Sequence, residues 1–503
     1  MRLSILRDVP RGYAATIRGQ AEGQLADYLT PDLCVIGAGA GGLAVAEWAR
    51  AYGASVVLVE AGRLGGSKFN TGALPIRALG AAAEATAAIR RGAGFGIAAD
   101  EGKVAFRRLH DHLDQVIAGA WPEASAERLA ALGVEVVLAA GRFVDKRTLV
   151  AGEQQIRARR FVIATGSRPA IPNIVGLDAV PYFTTDSIVD NTRKLTHLVV
   201  IGGDPMALEL AQSYRRLGTE VTLAAPGALL DGIDPELAGV ALDRLREEGV
   251  TLLDRTTVTA IQARSMGIGV VVEGAVGNST LDASHILVAA GRVPGIEGLD
   301  LEKAGLRRRA DHQDYLEVKK DGITTSNPRI FVVGDVSGTT TSVQDAAAVA
   351  RAVVRNVVLA VPMGRPIANA PRIVYTDPEL AEVGFNEISA RTRHGIGFRV
   401  LRAAYAENDK ARAHREMRGV AKLIVDKRGR IIGAGVVGPG ASELAGLFSL
   451  ALALRLRVRD LSRMVAPYPS YAEIAARFGV EQERLDAARP WMHRLVALIR
   501  LLG

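Results

Sequence analysis

The sequence predicts an α/β protein with two doubly wound, Rossmann-like units and a separate C-terminal α+β domain, and three stretches carry that expectation. "PDLCVIGAGAGGLAVAEWARAYGASVVLVE" (residues 31–60) reads as strand, glycine turn, helix, strand. "LTHLVVIGGDPMALELAQSYRRLGTEVTLAA" (195–225) repeats that order. After Gly364 the texture changes to alternating strands such as "AKLIVD" and "IIGAGVVG", followed by helices. One supersecondary unit met twice is an internal repeat, and strand–helix alternation favours a parallel sheet.

The first unit is complete. Leu33–Ile36 is a continuous apolar run, as expected for a parallel strand buried on both faces. The pattern G-x-G-x-x-G falls on Gly37, Gly39 and Gly42, and the strand Ser55–Val59 leads into Glu60. Gly37 permits the tight turn, Gly39 lets a pyrophosphate approach the backbone, and Gly42 lets helix and strand pack closely. The amides at the helix N-terminus hold phosphates, and Glu60 accepts ribose hydroxyls. A strand before, a helix after and an acid at the right distance make the motif specific for a dinucleotide.

The second unit is altered. Gly202 stands first, but Asp204 replaces the second glycine and Ala207 the third. The strand ends at Ala224–Ala225, where an acid would mark a preference for NADH. Asp204 puts a carboxylate where a pyrophosphate should approach. Either it repels the nucleotide, or it turns outward and leaves the phosphates to the helix terminus alone. "FVIATGSRP" (161–169) and "ILVAAGRVP" (286–294) are matched strand exits flanking this unit, and "NPRIFVVGDVSG" (327–338) is a strand ending in Gly334–Asp335.

Composition narrows the class. At 503 residues, 49% hydrophobic and 23% charged, the chain is globular and long enough for about three domains. The net charge of +8 is scattered, which favours small anionic ligands over nucleic acid. A lone cysteine, Cys34, allows no internal disulfide, and a cytoplasmic setting is expected. The first 30 residues lack the apolar core of a signal peptide and read as a short helical arm. No apolar run reaches the length of a membrane span, and no metal site is expected. The tail "RPWMHRLVALIRLLG" (489–503) places Trp491, Leu495, Leu498, Ile499 and Leu502 on one helical stripe, with Arg494 and Arg500 beside it. Such a helix packs on its own dimer or lies in a membrane interface.

With these motifs in this order, residues 31–480 resemble the FAD-dependent pyridine nucleotide–disulfide oxidoreductases, the mercuric reductase and dihydrolipoamide dehydrogenase type above all. The resemblance implies an FAD-binding domain over 31–165 that resumes at 294–365. It also implies an NAD(P)H-binding domain over 166–293, a dimerisation domain over 366–480 and a tail over 481–503. Gly37, Gly39, Gly42 and Glu60 would hold the ADP half of FAD, Asp335 its ribityl chain, and Gly66 and Gly166 would line the flavin. Gly202 and Asp204 would belong to the NADH or NADPH site.

The resemblance also shows a loss. The redox motif of such enzymes reads roughly G-G-x-C-x-N-x-G-C-x-P-x-K. In "GGSKFNTGALPIRAL" (65–79) Gly65, Gly66, Asn70, Gly72 and Pro75 are kept, but the two cysteine positions hold Lys68 and Ala73. Arg77 stands for the lysine near the flavin, with Glu209 as its acidic partner. In "APYPSYAEIAARF" (466–478) Tyr468 takes the place of a catalytic histidine and Glu473 that of its glutamate. Tyr468 reads equally as a hydrogen-bond donor to a substrate or as an ordinary interface aromatic. Lys68 either stabilises negative charge on a reduced acceptor or merely snorkels to solvent, one helical turn from position 73. Only ten of the 62 basic residues are lysine, so drift would more often have delivered arginine.

The expected function is therefore a homodimeric FAD enzyme passing electrons from NAD(P)H directly to a small non-disulfide acceptor, such as a quinone. A flavin oxidase acting on O₂ or an unknown organic substrate is a second reading. A catalytically silent FAD-binding dimer is a third.

Overall fold

A computed structural model describes residues 28–98, 102–275, 277–338, 342–361 and 370–501. Most of the arm expected over 1–30 lies outside the described residues. Its end is not helical: Tyr28–Leu29 pairs in parallel with Gln155–Ile156, because backbone groups at the edge of a small sheet need partners.

The first sheet has five strands in the order Ile330–Val332, Arg160–Ile163, Leu33–Ile36, Val56–Glu60, Val134–Leu138, all parallel. Leu33–Ile36 lies in the middle and is buried throughout, which is why its sequence shows no alternation. The helix Ala40–Ala51 covers one face and packs on the helix Val343–Leu359, which contributes Val349, Val353 and Val357 to the same core.

The chain leaves this sheet after Ile163 and builds a second one before returning at Ile330. The second sheet is also parallel, in the order Phe183–Thr184, His285–Val288, His197–Ile201, Glu220–Ala224, Val250–Leu253. Three antiparallel strands, Thr257–Ala263, Ile268–Gly274 and Gly277–Ala283, pack against it through Val258, Val270 and Ile286. The passage between the two sheets is an antiparallel ribbon of Ser167–Pro169 with Arg292–Pro294.

The C-terminal part is a five-stranded antiparallel sheet in the order Arg372–Val374, Leu380–Gly384, Ile431–Val437, Val420–Asp426, Phe398–Ala404. The helices Ala441–Ala453 and Glu473–Ala487 meet it through Phe448, Leu444 and Phe478.

The three parts are joined by an ion cluster around Arg216. Its guanidinium donates to Glu248 at 2.8 and 2.6 Å and to Asp377 at 2.6 Å. Arg91, from the first unit, donates to the same Asp377 carboxylate at 3.0 Å. Burial works against ionisation of Asp377, but the two arginines outweigh it and hold the carboxyl below its usual range. A folded-state pKa below the unfolded one stabilises the protein in full above the unfolded value, about 3.9, and the gain is lost as pH falls through the folded value. Asp377→Asn should therefore cost about 2 kcal/mol at neutral pH, the scale of hydrogen bonds to charged groups. The difference from the parent should shrink on acidification in denaturant titrations, and a pH-independent difference would show that the carboxylate charge is not what matters.

Candidate active site

A cavity of about 2030 Å³ opens between the carboxyl ends of the two parallel sheets, where both glycine turns emerge. Open α/β sheets bind ligands at such positions.

At the first turn Gly37 has φ +101°, and a Cβ there would stand 2.4 Å from the Ala164 carbonyl oxygen. A Cβ on Gly42 would stand 1.8 Å from the Gly37 carbonyl oxygen. Gly39 is different: its Cβ would meet no protein atom within 4 Å, so the space before it is open. No side chain caps the helix that begins there. Gly66 reaches back to this turn, and a Cβ on it would lie 2.8 Å from the Gly39 Cα. Glu60 accepts the Ala38 amide at 2.6 Å and the Gly62 amide at 2.8 Å. A carboxylate pinned in this way still has lone pairs for ribose hydroxyls.

Farther along the cavity, Asp335 accepts a hydrogen bond from the Ser167 hydroxyl at 2.5 Å. Arg292 donates to Ser167 at 2.8 Å and to Asp186 at 2.7 Å, which links the two units. Burial raises the Asp335 carboxyl, opposed by Ser167 and Arg292. Gly166, with φ +66°, leaves open space where its Cβ would stand. Ser167, Asp186 and Arg292 were not expected from the sequence. The signal was present, since Ser167 and Arg292 occupy the two matched strand exits.

These features fit FAD. Open backbone and unclaimed helix amides face where a pyrophosphate would lie, a fixed acid stands at the strand end, and a buried acid lies deeper in the cavity.

The loop in which the resemblance would place thiols is held by hydrogen bonds that need none. Asn70 donates to the Leu64 and Gly66 carbonyls, both at 3.0 Å, and the Gly72 amide donates to the Ser67 carbonyl at 2.7 Å. Lys68 and Ala73 both line the cavity. They do not share one helix, as one-turn spacing would require: Gly66–Asn70 and Ala73–Arg91 are separate helices, because Gly72 breaks between them. The Lys68 ammonium lies 3.6 Å from Glu123 and 4.2 Å from the Phe69 ring centroid. Glu123 is a partner that the sequence gave no reason to expect, being distant in the chain.

Arg77 pairs with Glu209 across the two units. Its guanidinium also lies over the Tyr375 ring at 4.1 Å, and the Tyr375 amide donates to Glu209 at 2.7 Å. Burial raises the Glu209 carboxyl, with Arg77 and that amide opposing. Tyr375, from the C-terminal part, thus joins a cluster that was expected to hold two residues.

At the second turn Gly202 repeats the strained geometry of Gly37, with φ +131°. Asp204 does not turn outward: it lines the cavity, and its carboxylate stays at the turn, caps the helix Pro205–Arg216 and accepts the Ala207 amide at 2.8 Å. The cause is local, since an aspartate at this position satisfies an otherwise unpaired amide. Burial raises its carboxyl, opposed by that amide and by Arg292.

Tyr468 and Glu473 do not line the cavity of their own protomer. The Tyr468 side chain is exposed and donates to Asp409 at 3.1 Å, which raises the phenol. Glu473 accepts the Ser470 amide at 3.0 Å. Cys34 is fully buried in its strand, and burial raises its thiol.

Two dinucleotide turns facing one cavity, with an ion pair between them, define a flavin-dependent pyridine nucleotide oxidoreductase. The chain belongs to the pyridine nucleotide-disulphide oxidoreductase family, whose model matches residues 31–352, while the model of the family's dimerisation domain matches 370–477. Members are FAD-dependent and use NAD(P)H. The chain is 33% identical to a mercuric reductase of Streptomyces lividans, covering 91% of this chain and 97% of that one. It is 30% identical to a dihydrolipoyl dehydrogenase of Geobacillus stearothermophilus, covering 88% and 94%. The solved structure of the flavoprotein disulfide reductase RclA from Escherichia coli, in its Cu(II) complex, superposes with a TM-score of 0.78 at 23% identity, covering 88% of this chain and 98% of that one.

Gly39→Val should leave the fold intact, because no protein atom lies in the way. It should also give colourless protein, because the side chain fills the pyrophosphate approach. The check is the flavin absorbance of the purified variant, and an unchanged flavin content would remove Gly39 from the FAD site.

Proposed function

We propose that the protein is an FAD-dependent oxidoreductase that passes electrons from NAD(P)H directly to a small non-disulfide acceptor, with a quinone as the natural class. The observation that carries this reading is the loop 65–77, which keeps its hydrogen-bonded shape and lines the cavity while presenting Lys68 and Ala73 where its relatives would present thiols. The one cysteine is buried in a strand and out of reach. Bound FAD would take a hydride from the donor and return two electrons to the acceptor. In sum, NAD(P)H, a proton and a quinone give NAD(P)⁺ and a hydroquinone.

The chain's own residues then have distinct tasks. Arg77, held by Glu209 and stacked on Tyr375, keeps a fixed cation beside the ring site. Its contribution is that of a fixed positive charge. Ala73 leaves room for the acceptor, and Lys68 supplies a charge that steadies the anion developing on it. In a homodimer, which the dimerisation domain supports, the exposed Tyr468 and the half-buried Glu473 would complete the partner's cavity.

The tail supports a lipid-soluble acceptor. The helix Pro490–Leu501 has no buried residue in the protomer, and Trp491, Leu495, Leu498 and Ile499 are exposed, while Leu502 lies outside the described residues. The helix itself contains no acidic residue and carries Arg494 and Arg500. That combination fits an anionic membrane surface. Among the described residues, no helix is long and apolar enough to cross a membrane.

Anaerobic NAD(P)H should bleach the flavin, and a quinone should restore its colour. Bleaching only by another organic compound would favour an oxidase, and no bleaching at all would favour a silent dimer. In Lys68→Met, reoxidation by the quinone should slow by about tenfold, roughly 1.4 kcal/mol of transition-state stabilisation. Reduction by NAD(P)H should change little, and equal rates in both half-reactions would make Lys68 a bystander. Truncation after residue 488 should abolish sedimentation with vesicles rich in phosphatidylserine and leave the dimer intact; a truncated protein that becomes monomeric shows that the tail covers its own partner.

A further inference from the structure

The chain contains its own control for the second nucleotide site. Both units run strand, left-handed glycine, helix, and both first glycines press on a carbonyl of the next strand. A Cβ on Gly37 would stand 2.4 Å from the Ala164 oxygen, and one on Gly202 would stand 1.9 Å from the Ala289 oxygen. The frames are alike, and the difference lies at the helix N-cap. In the first unit the cap is Gly39, with no side-chain hydrogen bond and open space before it. In the second the cap is Asp204, whose carboxylate takes the Ala207 amide.

The amides of a helix's first turn are the groups that hold a pyrophosphate, and the helix dipole adds to their pull. Asp204 engages one of them and places a negative charge at that terminus. The cation within reach, Arg292, is already shared with Asp186 and Ser167. One turn along the same helix, Glu209 is a second buried acid, but Arg77 pairs with it, so the uncompensated charge at the terminus is that of Asp204. The far end of the site offers no acid for ribose hydroxyls in the place where Glu60 serves the first unit. The strand Glu220–Ala224 ends against buried Ala225 and Leu229, and either side chain would lie 2.8 Å from a Cβ on Gly203.

We propose that Asp204 is a self-ligand of the second nucleotide site. Its carboxylate holds the helix terminus that a pyrophosphate would otherwise claim, so the site binds dinucleotides weakly and discriminates against donors by their phosphates. The inference rests on the reading that NAD(P)H is the donor. It makes Asp204 a specificity-determining residue, and the second unit a nucleotide fold tuned against its own usual ligand.

Two variants of the full-length, FAD-loaded protein test this. Asp204→Ser keeps an oxygen to cap the helix and removes the charge. Asp204→Gly restores the open turn of the first unit. Retained flavin absorbance reports that each is folded. Binding of ADP-ribose and of adenosine is measured by calorimetry, which does not depend on turnover. Both variants should bind ADP-ribose about tenfold more tightly than the parent, the effect of a one-unit electrostatic shift. The gain for adenosine, which carries no phosphate, should be much smaller. Unchanged or weaker ADP-ribose binding in both variants overturns the proposal, as does an equal gain for adenosine. If the parent and both variants fail to bind ADP-ribose, and NAD(P)H bleaches the flavin of none of them, the NAD(P)H reading itself falls.

Discussion

The architecture depends on one steric contact made twice: a helix that starts so close to a strand end that the residue at the turn has no room for a side chain. At Gly37 and Gly42 a single added carbon would overlap a carbonyl oxygen, and Gly202 repeats the constraint in the second sheet. Because the backbone passes at that distance, the first turn of each helix points its amides toward the mouth of its sheet. Because the two sheets face each other there, the two mouths merge into one cavity. Residues from distant parts of the chain then become neighbours, Arg77 with Glu209 and Ser167 with Asp335.

Much of this was legible in the sequence because it follows from local rules. The strand Leu33–Ile36, the glycine turn after it and the acid at 60 are fixed by burial on two faces and by φ angles that only glycine adopts easily. The pairing of Arg77 with Glu209 was legible through resemblance, since the two positions are far apart in the chain. What the sequence did not yield was the outcome of competition for a hydrogen bond. Asp204 stayed at the helix terminus instead of turning outward, and its carboxylate took the nearest unpaired amide, a partner no motif announces. Glu123 beside Lys68, and Tyr375 under Arg77, are tertiary accidents of helix and sheet placement, with no period or spacing to announce them.

The loss of the two thiols did not unmake the loop that would have carried them. Its geometry comes from backbone carbonyls answered by Asn70 and by the Gly72 amide, groups that take no part in sulfur chemistry. A scaffold fixed by such contacts tolerates replacement of the reacting side chains, so a change of chemistry at these positions needs no change of fold.

The first sheet has a further consequence, in the order of synthesis. Four of its strands emerge early, but the fifth, Ile330–Val332, is separated from its neighbour Arg160–Ile163 by the whole second unit. While the chain grows from the ribosome, that edge exposes unpaired backbone groups and apolar side chains for as long as the intervening residues take to appear. The second unit, continuous in sequence, can close first and stand beside the open edge. The protein is thus finished in an order different from the one in which its sheets begin, and the interval before Ile330 arrives is when a nascent chain is most exposed to pairing with its neighbours.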